Sequence, residues 1–159
     1  MHELKIISAL GPTPGMLEAL KQYASVPDSS RDAMLSRLLK SALLRVQEFA
    51  DCALLQCEVV QTSPADEETG RIRLYLGGGE VTGVSDHESG AAAEFTAKSG
   101  VVIVPGMRGK DVDVAFTTEP VQGDIERCMP TVLRYATALY DGEEQMTLNR
   151  ILLEVLGRA

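Results

Sequence analysis

The sequence predicts an α+β fold, in which a small helical bundle carries an inserted antiparallel β-sheet. Two observations support this class. Apolar residues recur every three or four positions from residue 30 to 50 and again after Pro120, as they do on one face of a helix. Between about residues 54 and 118 apolar and polar residues alternate, as they do in half-buried strands. The order helices, strands, helices therefore predicts α+β.

A long central helix is predicted from Ser30 to Ala50, because no Gly or Pro interrupts its pattern. The residues that share its apolar face are Leu35, Leu38, Leu39, Ala42, Val46 and Phe49. The opposite, polar side carries Arg37, Lys40, Ser41, Gln47 and Glu48. Such a face needs an apolar partner, and we expect the C-terminal helix pair to supply it.

The sequence before the long helix predicts an extended segment followed by a shorter helix. Leu4 to Leu10 is short and apolar and is either a strand or an extended lead-in. Thr13 and Pro14 then have the chemistry of an N-cap and a first helical residue. We expect a helix from Pro14 to about Tyr23 that buries Leu20 together with Met16 or Leu17, with Tyr23 as a further candidate for burial.

The predicted sheet lies between two sets of helices. Its alternation is clearest at Val112, Val114 and Phe116. Gly77 to Gly79 predicts a tight turn, since the following residues are strand-like and no Lys-Ser/Thr pair completes a phosphate loop. The exposed segments are expected to be a polar loop at Ser63 to Gly70 and a turn-rich connection at Pro105 to Lys110.

Two helices are predicted after Pro120. Periodicity gives the first an apolar face of Ile125, Met129, Val132, Leu133, Ala136 and Leu139 or Tyr140. Asp124 is a candidate cap for the first, and Pro130 either kinks that helix or marks a true start near Met129. Asp141-Gly142 should end it. The last helix, from about Glu143 to Leu156, is expected to stop at Gly157 and to bury Leu148, Ile151, Leu152 and Val155.

These elements predict a single domain over residues 1–159. Its parts are N-terminal helices at 1–52, a β insertion at 53–119 and C-terminal helices at 120–159. The length of 159 residues is enough for one hydrophobic core.

Composition excludes several classes of function. The net charge of −8 disfavours a protein that wraps nucleic acid, since phosphate binding needs clustered Lys and Arg. No apolar run is long enough for a membrane span, and the first residues lack a secretory signal pattern. Three irregularly spaced cysteines suit a reducing compartment better than a disulfide framework.

The sequence offers no catalytic, metal-binding or cofactor-binding constellation. His87 lies in a polar loop, and Ser85, Asp86 and His87 are too close in sequence to form a triad with one another. Zinc sites usually show cysteine pairs two to four residues apart, which this chain lacks. Cys52, Cys57 and Cys128 are therefore interpreted as small buried hydrophobes. We expect a protein that is not an enzyme and needs no cofactor.

Charge patterning is the most informative functional signal. The long helix is basic through Arg31, Arg37, Lys40 and Arg45, whereas the predicted sheet and its loops are rich in Asp and Glu. One interpretation of this pattern is an ordinary solvated surface. A sharper interpretation is self-complementarity, in which the basic helix of one copy meets an acidic face of the next and the contacts close into a ring.

Several segments together resemble the head–tail connector proteins (adaptor or head-completion proteins) of long-tailed bacteriophages. The resemblance rests on element order and apolar placement over essentially the whole chain. The family often has Gly at the turn from long helix to first strand, where this chain has Asp51-Cys52. The segments that carry the resemblance are Thr13 to Tyr23, Leu44 to Phe49, Ala50 to Leu55 and Met129 to Tyr140, followed by a short last helix.

This resemblance implies a structural virion protein. About a dozen copies would form a ring that lies beneath the portal protein at the head–tail junction and extends the DNA channel toward the tail. Its partners would be other copies, the portal and a downstream stopper or tail-completion protein, while DNA passes through without sequence-specific binding and no membrane is involved. Assembly would occur in the host bacterial cytoplasm.

The exposed positive charges are the candidate contacts with neighbouring copies or the portal: Arg37, Lys40, Arg45, Arg108 and Lys110. Two other interpretations stay open. One is a small ligand-binding or enzymatic α+β domain with a site between sheet and helices, and the other is a different tail-assembly protein on a related scaffold.

Overall fold

A computed structural model describes residues 2–156, with side chains as far as Glu154. The chain forms two compact units. The sheet unit comprises residues 1–10 and 56–119, and the helical unit comprises residues 11–55 and 120–159. Within the described residues there are four α-helices and two antiparallel sheets, which confirms the α+β class. That the two units act as a single domain stays a prediction.

The helical unit is a bundle around one long helix. Its helices are α1 (Pro14–Ala24), α2 (Asp32–Ala50), α3 (Gln122–Tyr140) and α4 (Gln145–Leu156). Because α2 contacts α1, α3 and α4, the predicted packing against the C-terminal pair is confirmed. The core contains Leu20, Leu35, Leu39, Ala42, Leu43, Val46, Val132, Ala136, Leu148, Ile151 and Leu152. The predicted burial of Val155 and the stop at Gly157 lie outside the described side chains and residues.

Helix α1 begins where the sequence predicts. The Thr13 hydroxyl oxygen accepts a hydrogen bond from the Met16 N–H at 3.2 Å, which satisfies one of the N–H groups that lack an intrahelical partner. Leu20 is buried and Met16 is half-buried. Tyr23, by contrast, remains exposed at the end of the helix.

The polar face predicted for α2 is wrong at one position. Gln47 is fully buried, and its Oε1 accepts hydrogen bonds from the N–H groups of Leu54 (3.1 Å) and Leu55 (3.3 Å). The chain turns after α2, so these N–H groups are buried without a ladder to join, and a glutamine one turn back supplies the acceptor. Asp51 ends the helix in the left-handed conformation, at φ 50° and ψ 44°, which is the geometry that glycine adopts most readily.

Helix α3 passes through Pro130, so a start near Met129 is wrong. Its first residue is Gln122, and Asp124 lies in the first turn rather than at the cap. The predicted end is confirmed, since Asp141 is the C-cap and Gly142 follows with φ +70°. Its core face shares Val132 and Ala136 with the predicted one, but it also contains Cys128, Thr131 and Tyr135, which the predicted face lacks.

The sheet unit contains two antiparallel sheets where one is predicted. The strands are β1 (Glu3–Ala9), β2 (Cys57–Pro64), β3 (Arg71–Arg73), β4 (Gly79–Asp86), β5 (Thr96–Lys98), β6 (Val101–Ile103) and β7 (Asp111–Thr118). The larger sheet has the order β1-β2-β7-β4, and the smaller has the order β3-β6-β5. The N-terminal segment is thus a strand, and it pairs with β2 instead of joining the N-terminal helices.

A buried glutamine joins the two sheets. Gln61 of β2 lies opposite Val114 of β7. Its Nε2 donates to the Arg73 carbonyl (2.8 Å), and its Oε1 accepts from the Tyr75 N–H (2.8 Å). Nε2 also donates to the Ser63 hydroxyl at 2.9 Å. The amide therefore satisfies backbone groups where β3 stops.

The glycine turn at residues 77–79 is confirmed. Gly77 and Gly78 have φ values of +75° and +74°, which side chains with a β-carbon rarely adopt. Gly79 opens β4 so close to β7 that an added β-carbon would lie 1.8 Å from the Thr117 carbonyl oxygen. Here the glycine sets the distance between two strands.

Candidate interaction surfaces

The basic residues predicted on the long helix occupy its solvent side. Arg37 is exposed and has no ion-pair partner within the described part of the chain. Lys40 is half-buried beside it. Arg45 pairs with Glu48 at 3.3 Å and lies over the Phe49 ring at 5.3 Å from its centroid. The positive charge of this face is therefore partly compensated at its C-terminal end.

Arg31, part of the same basic pattern, has a structural role. Its guanidinium donates to the Tyr140 hydroxyl and lies 5.7 Å from the centroid of that ring. It joins the start of α2 to the end of α3, so we do not count it among the interaction residues.

Two segments that the sequence suggests separately form one surface in the sheet unit. The sequence predicts the first as an exposed loop, but β2 includes Ser63 and Pro64, and Ser63, Ala65 and Gly70 are buried, so its exposed part is Pro64 and residues 66–69. The Ala65 N–H donates to the Lys110 carbonyl at 2.9 Å, and the Gly109 N–H donates to the Ala65 carbonyl at 3.0 Å. These bonds place the loop at residues 63–70 against the connection at residues 105–110. We call this combined surface the tip; Arg108 and Lys110 are exposed on it.

A third turn, at residues 86–90, adjoins the tip. The His87 N–H donates to the Asp111 carbonyl at 3.1 Å. Backbone N–H groups of Glu88 and Ser89, aided by the Lys110 charge, hold the pKa of Asp86 below its usual value. The tip carries three carboxylates against its two basic residues, and the adjoining turn and the start of β7 add three more: Asp66, Glu67, Glu68, Asp86, Glu88 and Asp111. The tip is consequently a mixed surface with an acidic excess.

A repeated turn motif builds this end of the sheet unit. Residues 66–70 (DEETG) and 86–90 (DHESG) share the pattern Asp-x-Glu-Thr/Ser-Gly. Asp66 Oδ1 accepts from the N–H groups of Glu68 (2.9 Å) and Thr69 (2.8 Å), and Asp86 Oδ1 makes the equivalent bonds. These bonds lower the pKa of Asp66 as well. The repeat is visible in the sequence but is too short to register as a repeated domain.

The cysteines are buried thiols, as the sequence suggests. Cys52 and Cys128 lie with their sulfur atoms 3.9 Å apart in the core of the helical unit. Burial, followed by the neighbouring Cys128, raises the pKa of Cys52 to about 12. A thiol with such a pKa stays protonated and is a poor nucleophile.

The described residues place no catalytic or metal-binding geometry around His87. Its Nδ1 lies 2.9 Å from Asp113 Oδ1, which also accepts from the Thr62 hydroxyl at 2.6 Å. His87 is exposed and Asp113 is half-buried. Across the described ranges no group of three His, Cys, Asp or Glu side chains is placed to hold a metal ion.

An apolar groove between α1 and α3 is a surface that the sequence does not predict. Its volume is about 710 Å³. The residues that line it are Thr13, Gly15, Met16, Ala19 and Tyr23 from α1, and Gln122, Ile125, Glu126, Met129, Pro130 and Leu133 from α3. Periodicity assigns Ile125, Met129 and Leu133 to the core, yet all three are only half-buried. All three line this groove instead.

These features define a small α+β protein with a basic helix face, a mixed-charge tip and an apolar groove. Among the described residues, no helix is long and apolar enough to cross a membrane. No protein-family model and no curated protein sequence matches the chain.

Solved structures of phage-like particles share this fold. A chain in the neck of an empty gene transfer agent particle, computed with C6 symmetry, superimposes with a TM-score of 0.62 at 16% identity, over 87% of this chain and 84% of that one. A chain from the native gene transfer agent virion gives 0.55 at 16% identity over the same shares. A chain from the native neck, computed with C12 symmetry, gives 0.52 at 14% identity over 94% of both chains. The fold implied by the resemblance to connector proteins is thus confirmed.

Proposed function

We propose that this chain is a structural neck protein of a phage-like particle. In this proposal it acts as a head–tail connector that forms a ring beneath the portal and extends the DNA channel toward the tail. The observation that carries the proposal is the fold shared with particle neck chains along most of both lengths. A non-enzymatic role without a cofactor belongs to the same proposal.

The symmetry of the compared particles supports a ring of identical copies. The neck structures were computed with C6 and C12 symmetry. A chain that repeats around such an axis meets its neighbours through heterologous contacts. In such a contact, one surface of a copy meets a different surface of the next copy. A ring of about a dozen copies follows if this chain assembles in the same way.

Charge distribution is compatible with a channel through which DNA passes. The sheet unit has twelve Asp and Glu against six Lys and Arg, and the helical unit has eleven against nine. An acidic surface repels the phosphate backbone, so it lets a duplex slide past without adhering. We therefore expect the purified protein to leave duplex DNA unbound at physiological salt.

The proposed partners are other copies, the portal and a downstream stopper or tail-completion protein. The basic face of α2 supplies Arg37, Lys40 and Arg45, and the tip supplies Arg108 and Lys110. We assign these residues to contacts within the ring or with the portal at the head–tail junction. In this proposal the protein assembles into the virion in the host bacterial cytoplasm.

Negative-stain electron microscopy of the purified protein, alone and mixed with its portal protein, tests the proposed function. Rings, or binding to the portal, are the expected result. A protein that stays monomeric in both samples and retains a small ligand through purification would contradict the proposal and favour a ligand-binding or enzymatic domain.

Charge reversal tests the basic face of α2. Arg37→Glu combined with Lys40→Glu should weaken ring formation and leave the circular dichroism spectrum unchanged, because Arg37 is exposed and Lys40 is only half-buried. Arg71→Glu combined with Lys98→Glu alters the net charge equally on exposed positions of the sheet unit. Equal loss of assembly in both double variants would show a general charge effect and remove Arg37 and Lys40 from the proposed interface.

The tip is tested without deleting it, because its backbone bonds to Ala65 help to hold the loop. Arg108→Glu combined with Lys110→Glu keeps those bonds and reverses both charges. We expect reduced portal or ring binding with an unchanged unfolding midpoint. Unchanged assembly would exclude the tip as a contact.

A further inference from the structure

The first of two matching surfaces on this chain is the groove between α1 and α3. Ile125, Met129 and Leu133 lie four residues apart along its α3 wall, so the apolar floor extends about 12 Å at a rise of 1.5 Å per residue. Glu126 is exposed on the same wall, and among the described residues its side chain accepts one hydrogen bond, at 3.4 Å from Gln122 of its own helix. The groove thus combines an apolar floor with one carboxylate at one end.

The second surface is the outer face of α4, which is the face turned away from the core of the helical unit. Its inner face is buried through Leu148, Ile151 and Leu152, and an ion pair between Arg134 and Glu154 fixes α4 against α3. The opposite face still carries two large apolar side chains, Met146 at 72% exposure and Leu153 at 59%. Arg150 lies exposed between them.

The two surfaces match in length and in charge. Met146 and Leu153 are two helical turns apart, or about 10 Å, close to the length of the groove floor. When α4 runs antiparallel to α3, Leu153 meets the Ile125 end and Arg150 falls about 3 Å from Glu126 along the axis. Arg150 has no ion-pair partner among the described residues. A carboxylate from a neighbouring copy could therefore form an ion pair with it.

We propose that the groove between α1 and α3 of one copy receives the outer face of α4 from the next copy. This inference rests on the proposed ring and names its contact. Groove and α4 face are different surfaces of one chain, so the contact is heterologous and can repeat around an axis. It also gives the half-buried groove residues and the exposed Met146 and Leu153 a common reason to be apolar.

Sedimentation velocity and negative-stain imaging of the full chain, from about 1 µM to 1 mM, test the contact across the usual affinity range. Leu153→Glu should weaken self-association by about tenfold or more, since it removes a buried apolar side chain and places a charge in an apolar groove. The matched control is Ile7→Glu, which changes an apolar residue of 54% exposure on β1. It should leave association unchanged.

A charge exchange in trans tests the pairing of Glu126 with Arg150. Glu126→Arg alone and Arg150→Glu alone should each weaken association several-fold, because each places like charges at the contact. An equimolar mixture of the two variants should recover association, since every contact in an alternating ring then joins opposite charges. Only a contact between copies can be rescued by mixing.

The outcomes separate this inference from the proposed function. Rings that form equally well in the wild type and in all groove and α4 variants would overturn the contact and leave the neck role standing. Groove variants that keep self-association but lose portal binding would also overturn it, since the occupant would then be the portal. A wild-type chain that forms no ring and binds no portal would overturn the neck role itself.

Discussion

Each unit of the molecule buries one glutamine, but the two side chains have different tasks. Gln47 in the helical unit closes a turn by accepting from two successive backbone N–H groups. Gln61 in the sheet unit joins two sheets by donating to one backbone group and accepting from another. The helical unit is otherwise held by long apolar faces, whereas three strands of the sheet unit have only three residues each.

Because of this difference, the two units should respond differently to the loss of a buried polar side chain. A bundle of long helices spreads its stability over many buried side chains, so the loss of one polar contact is local. Strands of three residues cannot hold a sheet together on their own, so the smaller sheet depends on its junction with β2. We therefore expect polar truncation to harm the sheet unit more than the helical unit.

The largest expected effect comes from Gln61→Leu. The Arg73 carbonyl loses a donor and the buried junction loses the acceptor for the Tyr75 N–H, which should lower the free energy of unfolding by about 3–5 kcal/mol. Urea denaturation measures the change, and amide hydrogen exchange should accelerate in residues 71–77. Gln56→Leu, at an exposed position, is the control. A loss below about 1 kcal/mol would show that Gln61 is not the junction.

Gln47→Leu should cost less, about 2–4 kcal/mol, because it removes an acceptor from the N–H groups of Leu54 and Leu55 while the apolar packing of α2 remains. Exchange should increase at residues 52–55 and not in the sheet unit. Gln22→Leu on the exposed side of α1 serves as the control. A greater loss than for Gln61→Leu would invert the comparison between the two units.

Thr13→Ala should lower stability by about 0.5–2 kcal/mol, because the Met16 N–H loses its capping acceptor. Thr13→Asn retains an acceptor at the same position and should restore most of the loss. The measurement is the urea midpoint of each variant. Equal stability of all three proteins would mean that the cap contributes nothing to α1, which forms one wall of the groove.

The smallest effect concerns the pH dependence of the Asp66 turn. Hydrogen bonds from Thr69 and Glu68 hold the pKa of Asp66 below its ordinary value of 3.8, so its contribution is present above that value and is lost as the pH falls through the folded pKa. Wild type should therefore exceed Asp66→Asn in stability at neutral pH, with the difference shrinking in acid.

Thermal unfolding midpoints at pH 7 and well below pH 3.8 measure that difference. Glu67→Gln removes the same charge from the same turn and is the control. A gap between wild type and Asp66→Asn that stays constant across the titration would contradict the assignment of the hydrogen-bonded carboxylate.

Local chemistry made much of the fold predictable. Thr13-Pro14 and Asp141-Gly142 define helix ends through short-range hydrogen bonds and backbone preference, and the alternation in β7 follows from having one buried face. The burial of Gln47 was not predictable from periodicity, because its cause is the pair of N–H groups at residues 54 and 55. The division into two sheets depends on long-range pairing, which a local pattern does not encode.

The candidate surfaces show the same limit. Exposure of Arg37, Arg45, Arg108 and Lys110 follows from their polarity, while their contacts with neighbouring copies or the portal stay predictions. Periodicity cannot distinguish an apolar residue that faces the core from one that lines a groove, which is why the groove was missed. Only backbone bonds between distant segments reveal that the loop at residues 63–70 and the connection at residues 105–110 form one surface.

The two Asp-x-Glu-Thr/Ser-Gly turns give the sheet unit two copies of the same hydrogen-bonded turn. Each is closed by its own aspartate and glycine, and the closing bonds use backbone N–H groups of the last three residues rather than the side chain at the second position. Glu67 and His87 occupy the same place in the two copies, one acidic and one an imidazole. Substitution at the second position should therefore change the charge of this end of the sheet unit without removing the backbone bonds that close either turn.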